Sequence, residues 1–356
     1  MKISACIIVK NEEKVISRCL SCLKKFADEI IVVDTGSSDL TKDIVSKFTD
    51  NIYDFKWIYD FSAARNYAFS LAKCDYVFWL DADDVISDIS AEKIAAIKNE
   101  KEPFDTYMMK YAVGFDNAGK PSFEFYRERL MRNCPKARFK GFVHEAIAPF
   151  GRIKRCDITI EHRKEKEGDP RRNLNLYERH LSLGEKLDAR GQYYYAKEFF
   201  FLGEYTRCEK ELLKYLTMSN KFLPDEKDAY ISVYKCRKKT GKGDIAAPLF
   251  SALSAIGPDA EIFCYLGDAE SDLKRMGRAA AYYKCALCSD FPKENYGFFE
   301  QRFFYLEPLL RLVALYYRAG DKRSAKLYHD ICKEKYPDDE AVIYNSRFFD
   351  RISEIL

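Results

Sequence analysis

Nowhere is this 356-residue sequence apolar for anything near the roughly 20 residues that a membrane-crossing helix requires. The apolar run at the start, Ile3 to Val9, is short. It lacks a small-residue cleavage site and runs straight into Asn11-Glu12-Glu13-Lys14, so it reads as a first strand and not as a signal peptide. An excess of one charge is missing as well. There are 59 basic and 56 acidic residues, net +3, and nucleic-acid binding would call for clustered surplus Lys and Arg. No glycine-rich basic loop follows the first strand. Asn11-Glu12-Glu13 stands where such a loop would cradle phosphates, which speaks against a nucleotidyltransferase. The twelve cysteines show no disulfide framework. Scattered through a chain without an export signal, they read as reduced thiols of a cytoplasmic protein. Cys19/Cys22 and Cys285/Cys288 form CxxC pairs, but in helix-like surroundings and without a second ligand pair for zinc.

What is present is a soluble, globular balance, 47% hydrophobic and 32% charged, in a chain long enough for two domains. The two halves differ in periodicity. Residues 1–165 alternate strands with helices. Ile3–Val9 is an unbroken apolar strand of the kind covered on both faces. Glu12 to Phe26 carries Val15, Ile16, Cys19, Leu20 and Leu23 at helical spacing. Glu29–Asp34 is a second strand, a helix begins near Thr41, and Asp75–Leu80 is a further buried strand. This order predicts an α/β fold with an open, mostly parallel sheet, whose ligands bind beyond the carboxyl ends of the strands. Asn11, Asp34 and the run Asp81-Ala82-Asp83-Asp84 all fall at such ends.

From about Arg171 to residue 356 the strand signals stop and aromatic-rich helices take over. Pro224, Pro258 and Pro292 recur every 34 residues; Pro337 follows after a longer interval, which suggests an insertion near residues 295–301. Small residues such as Gly267, Gly277 and Ala281 stand where paired helices would cross. A 34-residue period of helix pairs resembles tetratricopeptide repeats, and predicts an all-α helical-repeat domain over 171–356. That half shows no catalytic constellation. Its aromatics, Tyr193 to Tyr195 and Phe199 to Phe201, read as repeat core, and its concave side is a candidate surface for a peptide, a partner protein or self-association.

Asp81 and Asp83, just past a buried strand, offer hard oxygen ligands of the sort that Mg²⁺ or Mn²⁺ takes when phosphates and water complete its shell. Such a cation stabilises the charge that builds on a diphosphate leaving group. A lone Asp-x-Asp is common in solvated turns; the preceding strand gives this one its weight.

Three segments taken together, Ile7-Ile8-Val9-Lys10-Asn11-Glu12-Glu13, Glu29 to Asp39, and Phe78-Trp79-Leu80-Asp81-Ala82-Asp83-Asp84, resemble the family 2 glycosyltransferases with a GT-A fold. Asp60 to Asn66, Arg138 to Glu145 and Arg171-Arg172-Asn173-Leu174 narrow the resemblance. They point to the subgroup with C-terminal tetratricopeptide-like helices, which includes peptide S-glycosyltransferases of bacteriocins and flagellin or surface glycosyltransferases. The resemblance implies a nucleotide-sugar domain over 1–165, a UDP-sugar donor, a divalent metal, and a peptide, protein or glycan acceptor. It implies that Asp34 accepts hydrogen bonds from the base, with Val9, Asn11 and Glu12 lining the same pocket. Asp81 would face the ribose or a metal-bound water, with Ala82 beside it, and Asp83 would ligate the metal. Arg65 would lie near the diphosphate. His162, after the last strand, would complete the metal shell, although Arg163-Lys164-Glu165-Lys166 replaces the residues that usually follow it. His144-Glu145 stands where the family places its catalytic carboxylate, so Glu145, or else His144, is the candidate base. A repeat scaffold with a vestigial transferase domain is the alternative; four acidic residues at the expected positions argue against it.

Overall fold

The computed structural model describes residues 1–115, 119, 121–165, 168–290 and 302–353. Contacts divide the chain into Met1–Glu185 and Lys186–Leu356. The boundary therefore falls later than residues 165–171, because the first helix after the sheet, α5 (Arg172–Ser182), belongs with the first unit.

In the first unit, β1 (Ile3–Val9), β2 (Glu29–Asp34), β3 (Ile52–Asp54), β4 (Tyr76–Leu80), β5 (Asp84–Ile86), β6 (Thr106–Phe115), β7 (Pro121–Arg132) and β8 (Ile153–His162) form one sheet of order β3-β2-β1-β4-β7-β6-β8-β5. The strands β3, β2, β1 and β4 run parallel, and β6 is parallel to β8. The pairs β4–β7, β6–β7 and β5–β8 are antiparallel, so the sheet is mixed, with its parallel part toward the N-terminal strands. Central β1 shows why its sequence is apolar throughout. Ile3, Ala5, Ile7 and Val9 pack on one face with α1 (Ile16–Leu23), and Cys6 packs on the other with Ala68 and Phe69 of α3 (Phe61–Ser70). The helix read over Glu12–Phe26 is shorter than that, since turns flank it on both sides. Asp60 caps α3, accepting from the Ala63 N–H at 2.9 Å, and Ser87 caps α4 (Asp88–Ile97) in the same way. The five-residue α2 (Thr41–Val45) lies between β2 and β3.

The second unit is all helical: α6 (Ala189–Phe201), α7 (Tyr205–Leu216), α8 (Leu223–Thr240), α9 (Ala247–Ile256), α10 (Ala260–Asp272), α11 (Met276–Leu287), α12 (Arg302–Tyr305), α13 (Glu307–Arg318), α14 (Lys322–Lys335) and α15 (Glu340–Ser353). Pro224 sits in the first turn of α8, where its missing N–H has no partner to lose. Pro258 precedes Asp259, the cap of α10. Pro292 and the insertion at 295–301 lie outside the described residues. No helix among the described residues is long and apolar enough to cross a membrane. A cleft of about 290 Å³ is lined by residues including Lys238, Asp268, Tyr283, Arg311 and Arg318.

Of the small residues expected at helix crossings, Gly277 and Ala281 are exposed, whereas Gly267 is at a crossing. It lies in mid-α10 against α11, and a Cβ there would run into the Tyr283 ring. Tyr283 is held in that place by its hydroxyl, which donates to Asp268 Oδ1 at 2.8 Å. Gly267→Ala is expected to lower the stability of the helical unit by about 1–3 kcal/mol, the usual penalty for overpacking, despite the better helix propensity of alanine. Urea unfolding followed by circular dichroism checks this. An unchanged or higher midpoint contradicts the packing account.

Candidate active site

The parallel register fixes where the site lies. Val9 pairs with Asp34 and Ile7 with Leu80, so β1, β2 and β4 deliver the residues after them to one edge. At the end of β1 the chain turns through Asn11 with φ +55°. Asn11 Oδ1 accepts from the Ser38 N–H at 2.7 Å, and the N–H groups of Asn11 and Glu12 donate to Ser37 Oγ and Thr41 Oγ1. This ties the β1 and β2 exits together. Val9 itself is buried, and its carbonyl accepts from the Thr35 N–H and hydroxyl. Asp34 is buried. Its Oδ1 accepts from the N–H groups of Gly36 and Ser37, both at 2.8 Å, while Oδ2 is buried without a hydrogen-bond partner. An unpaired buried carboxylate oxygen is costly to leave so, and this one has room in its bonding for one more donor.

Beyond β4, Asp81, Ala82 and Asp83 form a short connection into β5. Ala82 is core. Asp81 turns its carboxylate toward α3, where Arg65 Nη2 donates to Oδ1 at 2.5 Å. The same guanidinium donates from Nε to Glu145 Oε1 at 2.6 Å, and it lies 4.9 Å from the Trp79 ring centre. Burial disfavours the charge on Arg65, but Asp81 and Glu145 more than offset this and hold it protonated. Burial likewise works against an ionised Asp81, yet Arg65 and Arg129 hold its carboxyl well below the usual carboxylate range. One arginine thus joins two of the acidic residues read from the sequence, 80 positions apart in the case of Glu145.

Glu145 comes from a tight loop closed by the Lys140–Ala146 backbone pair, with Gly141 at φ +92° and His144 at φ +52°. The loop is held from two sides. Ser62 Oγ donates to the Gly141 carbonyl, and the Phe61 N–H to that of Phe142. The Phe142 ring stacks on His180 of α5, with centroids 3.8 Å apart, and His180 Nε2 is 3.0 Å from the Tyr59 carbonyl. His144 is half-buried beside Glu145.

His162 is the last residue of β8, and the antiparallel register with β5 places it opposite Asp84. Its Nδ1 is 3.3 Å from Asp83 Oδ1 and 3.2 Å from Asp84 Oδ1. Burial disfavours the protonated ring, but the bonds to Asp83 and Asp84 push its pKa up to about 10. Ligand atoms of Asp83, Asp84 and His162 all lie within 4.8 Å of one another, a spacing that one divalent cation can bridge. The donor set is carboxylate oxygen and imidazole nitrogen, both ordinary ligands of divalent metals.

All the candidates taken from the sequence therefore lie along this sheet edge. Val9, Asn11, Glu12 and Asp34 sit at the β1 and β2 exits. Arg65, Asp81, Glu145 and His144 gather around α3, and Asp83 meets His162. Sequence reasoning gave no part to Asp84, Tyr111, Arg129 or the α5 buttress. Asp84 was visible in the acidic run. Nothing in the local sequence distinguishes Arg129, in mid-strand, from its neighbours Arg127 and Arg132.

Residues 4–151 match the family model described as glycosyl transferase family 2. The chain is 31% identical over 232 residues, 60% of its length, to the SPbeta prophage-derived glycosyltransferase SunS of Bacillus subtilis. It is 32% identical over 146 residues, 41% of its length, to a TPR repeat-containing protein of Synechococcus elongatus. It spans 52% and 35% of those two relatives. Among solved structures, S. aureus TarS overlaps 67% of this chain and 53% of its own, with a TM-score of 0.42 and 18% identity.

Proposed function

We propose that this chain, whose residues 4–151 match the glycosyl transferase family 2 model, transfers a sugar from a nucleoside-diphosphate donor, UDP-linked by first choice, to a peptide, protein or glycan. One observation carries the reading. The same end of the sheet holds a buried aspartate with an unpaired oxygen, Asp34 after β2, and Asp83, which follows β4 two strands away and meets His162 of β8. The first suits the N–H of a nucleobase and the second a diphosphate-bound cation.

In this reading Asp34 Oδ2 accepts from the base, and Val9, Asn11 and Glu12 shape the pocket beside it. Asp83 and His162 hold Mn²⁺ or Mg²⁺, with Asp81 and Ala82 alongside. When bound, the cation neutralises charge on the departing diphosphate. Arg65 orients Asp81 and Glu145 toward the same space, and its fixed charge stands close to where the leaving group departs. Arg65 takes Oε1 of Glu145, which leaves Oε2 to receive the acceptor proton, with His144 as its neighbour. The acceptor atom bonds to the anomeric carbon as the carbon–oxygen bond to diphosphate breaks, so a single displacement inverts the configuration. Acceptor recognition falls to Lys186–Leu356, whose cleft offers charged and aromatic side chains to a peptide or glycan.

Calorimetry should find UDP bound much more tightly with Mn²⁺ than with chelator, and Asp83→Ala should remove the difference. Equal affinity with and without metal sinks the metal role. Glu145→Gln keeps the shape and removes the base, so transfer should fall by about 10²–10⁴ with donor binding retained. Full turnover in that variant contradicts the assignment and moves the role to His144 if His144→Ala is inactive.

The division of labour gives a separate expectation. Lys238→Glu together with Arg318→Glu should raise the acceptor KM and leave slow hydrolysis of the donor by water untouched. If both activities fall together in the folded variant, the helices belong to the active site itself.

A further inference from the structure

The two carboxylates of the Asp83–Asp84–His162 cluster are not alike. The Asp83 side chain is 21% exposed, whereas that of Asp84 is wholly buried. Asp84 Oδ1 accepts from the Tyr111 hydroxyl at 2.9 Å and faces His162 Nδ1 at 3.2 Å. Its Oδ2 accepts from Arg129 Nη1 at 3.2 Å and from the Asp81 N–H at 3.0 Å. An ionised carboxylate has about four lone-pair sites. Here four donors from the protein occupy them, and no face of the group reaches solvent. His162 Nδ1 lies 3.3 Å from Asp83 Oδ1 as well, so the buried and the exposed carboxylate meet at one ring nitrogen.

A second observation concerns Arg129. It is completely buried, with its guanidinium 3.8 Å from the Trp79 ring centre and 4.2 Å from that of Tyr111. Nη1 bonds Asp84 and the Trp79 carbonyl, while Nε and Nη2 are buried without a hydrogen-bond partner. Packing alone would be served as well or better by an apolar side chain in this slot, since buried ion pairs often stabilise less than hydrophobic replacements do. What the guanidinium adds is a fixed charge. The two rings clamp its plane, with Nη1 held between Asp84 and the Trp79 carbonyl.

We infer that Asp84 is a positioning residue and not a metal ligand: clamped by Arg129 and Tyr111, it fixes the His162 ring beside Asp83, and these two residues would take the cation. The inference rests on the metal reading proposed above. It assigns the Trp79–Arg129–Tyr111 stack a role in cation affinity, although none of the three side chains would touch the cation. Partners of this kind typically alter metal affinity by about 10–100-fold when removed.

The test is the dissociation constant of Mn²⁺ from the UDP complex, read by electron paramagnetic resonance of free Mn²⁺, with UDP affinity in chelator measured alongside. Tyr111→Phe removes one donor to Asp84 and keeps the ring. It should weaken Mn²⁺ binding about 10-fold, with metal-free UDP affinity unchanged, and Arg129→Met should weaken it by up to about 100-fold. If Asp84 were itself a ligand, Tyr111→Phe would free a lone pair, and Mn²⁺ would bind as well or better; that result overturns the inference. Should Arg129→Met fail to fold, Tyr111→Phe still decides. Wild-type protein that takes up no Mn²⁺ with UDP refutes the metal reading first, and this inference with it.

Discussion

The site depends on the level ending of three parallel strands. Because Val9, Asp34 and Leu80 finish β1, β2 and β4 at one edge, everything that follows them in sequence must share a small volume. Parallel strands need both faces covered, and the helices between them provide that. Their ends, in contrast, are free of packing demands. Residues there can be chosen for chemistry, as in open α/β sheets generally. The antiparallel pairing of β5 with β8 adds the last component by setting His162 opposite Asp84.

So many carboxylates at one edge would repel one another if left alone. The structure answers with two buried arginines and a half-buried histidine. Arg65 joins Asp81 to Glu145, Arg129 holds Asp84, and His162 lies between Asp83 and Asp84. Removing one partner of such a buried pair costs about 3–5 kcal/mol, because the other charge is left uncompensated. The acidic edge is therefore rigid before any ligand arrives. For the proposed transfer, preorganisation of this kind would avoid the reorganisation that water demands.

The fold was legible in the sequence where burial makes a pattern. Ile3–Val9 and Glu29–Asp34 were bounded as the structure has them, because doubly covered strands are continuously apolar and end abruptly at polar residues. The paired helices of the second half announced themselves through prolines and small residues, and Gly267 against Tyr283 shows the steric reason. The boundary between the units was not legible. α5 has the composition of the helices after it, and contacts distant in sequence, such as Phe142 stacking on His180 and His180 meeting the Tyr59 carbonyl, assign it to the first unit. Asp34 and Asp83 could be singled out because they directly follow buried strands. Arg65 could be named but not paired, since its partners are distant in sequence. Arg129 and Tyr111 lie mid-strand among alternating residues, and their roles arise only from the meeting of β4, β6, β7 and β8 around Trp79.

The central claim is that this edge activates a nucleotide sugar. The direct measurement is hydrolysis of a panel of UDP-, GDP- and CMP-linked sugars by the full chain without acceptor, with Mn²⁺, Mg²⁺ or chelator. The account predicts slow, metal-dependent release of the nucleotide from at least one UDP-sugar, abolished by chelator. Absence of release from every donor, together with no binding of any donor in the presence of Mn²⁺, would contradict it and favour a scaffold that only keeps the form of a transferase.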